Sequence, residues 1–162
     1  MLRHSLSLFA AFFVFSTSAS AQSTSDTSQS VLAEIDARYE ETSAIAQQIW
    51  DWSELGYQEE KSSALLASEL EAAGFSIERG VADIPTAFIA SWSQGDGPVI
   101  AILGEFDALP GFSQAATPNR TPIPGKSAGH ACGHHMFGAG SVSAAIAVKN
   151  WLESTGTPGE IR

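Results

Sequence analysis

"PVIAILGEF", residues 98–106, is the stretch that decides the fold. It is a nearly unbroken apolar run of strand length. Such a run reads as a strand buried on both faces, which needs other structure above and below it. A strong turn signal, Gly95-Asp96-Gly97-Pro98, leads into it. Upstream, "FSIERGV" and "TAFIASW" alternate in the manner of strands. Earlier still the period is helical. Val31, Ile35, Tyr39, Ile45, Ile49 and Trp52 mark one amphipathic helix from Val31 to about Leu55, stopped by Gly56. Leu66, Leu70 and Ala73 mark a second helix from about Lys61 to Ala73, stopped by Gly74. Downstream, residues 110–129 form a loop rich in Pro, Gly, Ser and Thr, and loops of that length in compact domains are often functional. Met136 to about Glu153 then reads as a helix whose small residues allow close approach to a sheet. Helices, then strands, then a helix predict an α/β domain with a mixed β-sheet flanked by helices.

A chain of 162 residues is long enough for one domain with a real core. Its 44% hydrophobic and 16% charged residues are a globular composition. The net charge of -10 argues against a nucleic-acid partner, because Lys and Arg are too few to build a basic stripe. At the start, "MLRHSLSLFAAFFVFSTSASA" combines a basic Arg3, an apolar run from Leu6 to Phe15 and a small-x-small site at Ala19-Ser20-Ala21. This predicts a signal peptide over 1–21, cleavage after Ala21, and export to the periplasm or beyond. The apolar run is too short for a stable membrane anchor. Residues 22–30, "QSTSDTSQS", read as a flexible lead-in, and 31–162 as the domain.

The scarce chemistry-bearing residues are concentrated. Of four histidines, His4 falls in the leader, and His130, His134 and His135 surround the sole cysteine, Cys132, in "GHACGHH", residues 129–135. A single cysteine makes no internal disulfide, so it is buried and inert, free and reactive, or bound to a metal. Cys132 and His134, separated by Gly133, can turn toward one point, and a thiolate with an imidazole suits zinc and similar metals. Two ligands do not hold a metal, so others must come from elsewhere. A packed Cys and a hydrogen-bonded His remain the alternative reading. In "GEFDALPG", residues 104–111, Glu105 and Asp107 lie two apart at the end of the expected strand, so both carboxylates can reach one site. A carboxylate there can bind a metal or orient a ligating histidine; a pair of solvated strand-end acids is the other reading.

Together these two stretches resemble the M20 metallopeptidases and amidohydrolases. More narrowly, they look like the aminoacylase-like branch that includes aminobenzoyl-glutamate hydrolase B subunits and N-acyl-amino-acid amidohydrolases. "ELGYQEEKSSALLASELEAAGF", residues 54–75, is similar to the same branch, so the resemblance covers nearly all of 30–162. It implies the N-terminal part of a zinc-exopeptidase-like catalytic domain, and a hydrolase of amide bonds in small N-acyl amino acids or dipeptide-like molecules. Two divalent ions (zinc, manganese or cobalt) would serve it. By position, Cys132 and His134 match metal ligands, Asp107 the supporting acid, and Glu105 a site where other branches place a ligating histidine. His130 matches a supportive position. His135 departs from the pattern, which has Asn or Asp there, and reads as a pocket-edge residue or an extra ligand. The family's Glu-Glu pair, which supplies the general base, would follow a strand beginning near "GEIR"; no base is found upstream, where Glu59 and Glu60 read as helix-capping charges. On this reading the chain alone is inactive, its last strand leaves an unpaired edge, and the full-length parent is a homodimer or hetero-oligomer. Two other classes stay open: a thiol hydrolase using Cys132 with His130 or His134 as base, and an exported metal-binding module without catalysis.

Overall fold

Four α-helices, one short 3-10 helix (Val81–Asp83) and six strands make up the computed structural model, which describes residues 24–162. The expected signal peptide and its cleavage site lie outside the described residues. The first helical stretch is two helices, α1 (Thr24–Ala37) and α2 (Tyr39–Trp52), hinged at Arg38. Helix α1 begins inside the stretch expected to be a flexible lead-in. Ser53, in the left-handed conformation, ends α2 before Gly56 is reached. Helix α3 (Glu60–Ala72) follows, then β1 (Ser76–Arg79) and β2 (Phe88–Gln94). Short pieces complete the chain: β3 (Val99–Ile100), β4 (Leu109–Pro110), β5 (Ala128–Gly129), the long helix α4 (His134–Thr155) and β6 (Gly159–Ile161).

The main sheet has the order β1-β2-β6-β3. β1 pairs antiparallel with β2 and β2 with β6, while β3 runs parallel to β6, so the sheet is mixed. The core is one cluster in which Ile45 and Ile49 of α2 meet Leu66 and Leu70 of α3, Val142 and Ile146 of α4, and Ile161 of β6. Ile49, Leu66 and Ile161 are shut off from solvent almost completely, and burial of such side chains is the main favourable term in folding.

Two sequence expectations change here. The 98–106 run is not a doubly buried strand. Only Val99 and Ile100 are in strand pairing; they are 54% and 55% exposed, and Leu103 is 72% exposed. Ile102 and Phe106 pack on the core while Leu103 and Glu105 face outward, the alternation of a strand covered on one side only. Second, the strand at "GEIR" is not an edge. β6 lies between β2 and β3, and the edge on that side is β3.

Helix α3 starts differently from expectation too. Glu59 is buried and accepts a 2.6 Å hydrogen bond from the Thr86 hydroxyl, so it is not a capping charge. The cap comes from Glu54, whose carboxylate accepts bonds from the Lys61 and Ser62 backbone N–H groups at 3.0 and 2.8 Å and from the Ser62 hydroxyl at 2.7 Å. These satisfy donors that a helix start otherwise leaves unpaired.

Candidate functional site

The two-stranded β4-β5 ladder does the positioning. Leu109 pairs with Gly129 and Pro110 with Ala128, and the Gly111 N–H donates to the Ser127 carbonyl at 2.7 Å. This clamps the ends of the long loop together and sets the residues before β4 beside those after β5. On the other side the segment is held by Leu55, which bridges Ala108, and by the Ala108 N–H, which donates to the Glu54 carbonyl at 2.7 Å. The 129–135 stretch turns sharply, with the Gly133 N–H donating to the His130 carbonyl. Gly133, at φ 79°, is the N-cap of α4, a left-handed conformation that glycine adopts without strain. Helix α4 can press against residues 105–106 because Gly138 has no side chain: a Cβ there would lie 3.1 Å from the Glu105 carbonyl oxygen, Leu66 Cδ1 and Phe106 Cβ.

The outcome is a histidine held between two acids. His134 Nδ1 lies 2.7 Å from Asp107 Oδ1, and His134 Nε2 lies 2.8 Å from Glu105 Oε2. The three side chains are partly exposed, Glu105 the most. Both contacts are hydrogen bonds only when both ring nitrogens carry hydrogen or a carboxyl does. Two carboxylates flanking one imidazole therefore form a cradle for positive charge, which a proton or a cation can supply.

Cys132 is a free, exposed thiol on the turn before α4. His130 is 5% exposed, and its Nε2 lies 3.1 Å from the Ile49 carbonyl. A carbonyl only accepts, so Nε2 is the protonated nitrogen and Nδ1 is left as a buried acceptor without a partner. Burial pushes the His130 imidazole below the ordinary histidine value, opposed by the Ile49 bond. His135 is pushed down to about 4, by burial first and then by His130. The His130 and His135 rings lie 5.0 Å apart, and both stack or abut Trp50, at 6.3 and 4.9 Å. These two histidines thus form an aromatic group with Trp50, while Asp107 and Glu105 hold His134.

The fit to a metal is partial. Asp107 on Nδ1 orients His134 in the way that metal-bound imidazoles are oriented, with Nε2 as the coordinating atom. Glu105 stands at that atom, and Cys132 is two residues away in sequence. Yet among the described residues no group of three or more His, Cys, Asp or Glu side chains is placed so that it could hold a metal ion, since Asp107 and Glu105 meet the ring nitrogens on opposite sides of His134. Glu54 and Trp50, which the sequence did not single out, brace the site from behind. Spacing gave no signal for either, because each acts through contacts far along the chain.

No family model matches the chain. Over 130 residues it is 49% identical to a p-aminobenzoyl-glutamate hydrolase component of Escherichia coli, a match covering 79% of this chain and 27% of that protein. Over 138 residues it is 30% identical to the mouse Xaa-Arg dipeptidase, covering 79% of this chain and 28% of that protein. A Bacillus subtilis dinuclear metal-binding peptidase of the M20 family matches in structure with a TM-score of 0.61 and 26% identity, over 78% of this chain and 34% of that one. The chain spans about a quarter to a third of the length of these relatives.

Proposed function

Because the chain belongs to the M20 family of amidohydrolases and peptidases, we propose that the protein hydrolyses the amide bond of N-acyl amino acids or dipeptide-like molecules. An aminobenzoyl-glutamate-like compound is the first substrate to try. The observation that carries this reading is His134 between Asp107 and Glu105, on the same turn as Cys132.

In the loaded site two divalent ions, held in part by Cys132, His134 and Glu105, would polarise the scissile carbonyl and lower the pKa of water. This chain's residues supply the rest of the arrangement. Asp107 holds the Nδ1 proton of His134 and so fixes which nitrogen faces the reaction. Gly138 and the β4-β5 clamp keep that pair in register. Asp107 is committed to His134, and Glu105 would be committed to the ions. The carboxylate that takes the proton from the attacking water is therefore a further one, which the family resemblance places in the Glu-Glu pair expected after the strand at "GEIR". We propose export after Ala21 and a homodimer or hetero-oligomer as the working form.

The test is hydrolysis of an N-acyl amino acid panel by the full-length protein. Activity should vanish in chelator and return with zinc, manganese or cobalt. Cys132→Ser should lower bound metal and activity together. Activity that survives chelation but is lost on thiol alkylation would replace this reading with a cysteine nucleophile; metal content unchanged in the serine variant would remove Cys132 from the ligand set.

A further inference from the structure

The acids of this chain are unevenly placed. It has 18 Asp and Glu residues, yet none between Ala108 and Leu152, a stretch that holds Arg120, Lys126 and Lys149. A cavity of about 840 Å³ opens within that stretch, between the end of α2, the long loop and His130. Arg120 and Lys126 line it, and no Asp or Glu does. Lys126 is fixed there, its Nζ donating to the Trp50 carbonyl at 3.2 Å with two N–H groups to spare. Arg120 makes no ion pair among the described residues and is exposed. The remaining wall is apolar: Phe112 and Pro122 from the loop, with Trp50 and His130 stacked at 6.3 Å. In a chain of net charge -10, a pocket with two cations, no anion and aromatic walls stands against the surrounding field, and it would attract a negative group that the remaining surface repels.

We propose that this pocket is a subsite for a carboxylate carried on an aromatic or apolar body. Arg120 and Lys126 meet the carboxylate, and Trp50 with Phe112 contacts the body. His130 lines the pocket two residues before Cys132, so a ligand seated there adjoins the turn that carries the thiol and His134. Assigning that ligand as the substrate rests on the hydrolase reading; the existence of the subsite does not.

The experiment uses benzoate as the probe and benzamide as its uncharged counterpart, titrated into the protein in metal-free buffer. The readouts are the NMR shift of the Trp50 indole N–H and calorimetry. Benzoate should bind saturably, about tenfold tighter than benzamide, and lose affinity as salt is raised. Arg120→Gln, at an exposed position and with folding checked by circular dichroism, should weaken benzoate about tenfold and leave benzamide unchanged. Lys126→Met should act in the same direction. Equal binding of the two probes, no saturable binding, or an Arg120 variant that binds benzoate as the parent does would each overturn the subsite. Because no metal or turnover is involved, an inactive hydrolase leaves these outcomes intact, and a failed subsite leaves hydrolysis standing.

Discussion

At the scale of single residues the site depends on which acid faces which nitrogen. Asp107→Asn keeps the shape of the side chain but can present an amide N–H to Nδ1, which would no longer be held as the protonated nitrogen. Metal affinity or activity of the full-length protein should fall roughly 10–100-fold, read by metal titration and initial rates. The meeting of Glu105 and Asp107 at one place follows from their spacing of two, and that much was legible. That the shared partner is His134 was not, because a long loop separates them and only the β4-β5 ladder returns the chain. Away from the site, Glu69 offers a pH test. Its carboxyl is raised above the ordinary value of 4.5, by burial first and then by Glu41, against the pull of Arg38. The folded state therefore holds this proton more tightly than the unfolded state. Glu69 favours folding most at pH below 4.5, and that contribution is lost as pH rises through the raised value. Glu69→Gln should raise the melting temperature at neutral pH relative to the parent, with the gain shrinking as pH falls toward 4.5; a gain that does not depend on pH would mean that the ionised carboxylate is not its source.

Among the elements, helix starts were the least legible. The spacing of Leu66, Leu70 and Ala73 located α3 to within a residue or so, because a buried stripe repeats. The cap was hidden, since Glu54 reaches the α3 backbone from a separate turn and nothing in local sequence marks it. Glu54→Ala should lower stability by about 1–3 kcal/mol, measured by urea unfolding, since three bonds to one carboxylate are lost at once. The single long helix expected before it became two because Arg38 turns the chain and pairs with Glu41 at 3.1 Å and Glu69 at 3.5 Å, contacts that apolar periodicity cannot report. For 98–106, composition suggested burial on both sides, and only the exposed Leu103 and Glu105 reveal that one side is bare.

Across the described residues as a whole, the bare β3 edge is the feature with the widest reach. Val99 and Ile100 present apolar side chains beside an unpaired strand margin, an arrangement that invites pairing with another chain. Residues 1–162 made alone should self-associate as concentration rises, and Val99→Lys should suppress this in light scattering while shifting the melting temperature little; equal scattering by parent and variant would place the contact elsewhere. The mixed α/β class was readable because helical and strand periods occupy separate stretches. The order of strands was not, because pairing between segments so far apart leaves no mark on neighbours in sequence. That order has a consequence for how the protein is made. The strand that joins β2 to β3 is read out at residues 159–161, after both of its neighbours and after α4. On the ribosome β2 and β3 must wait, without the strand that joins them, until Ile161 has cleared the exit tunnel, and over that interval the nascent chain offers open strand edges of the kind that chaperones recognise.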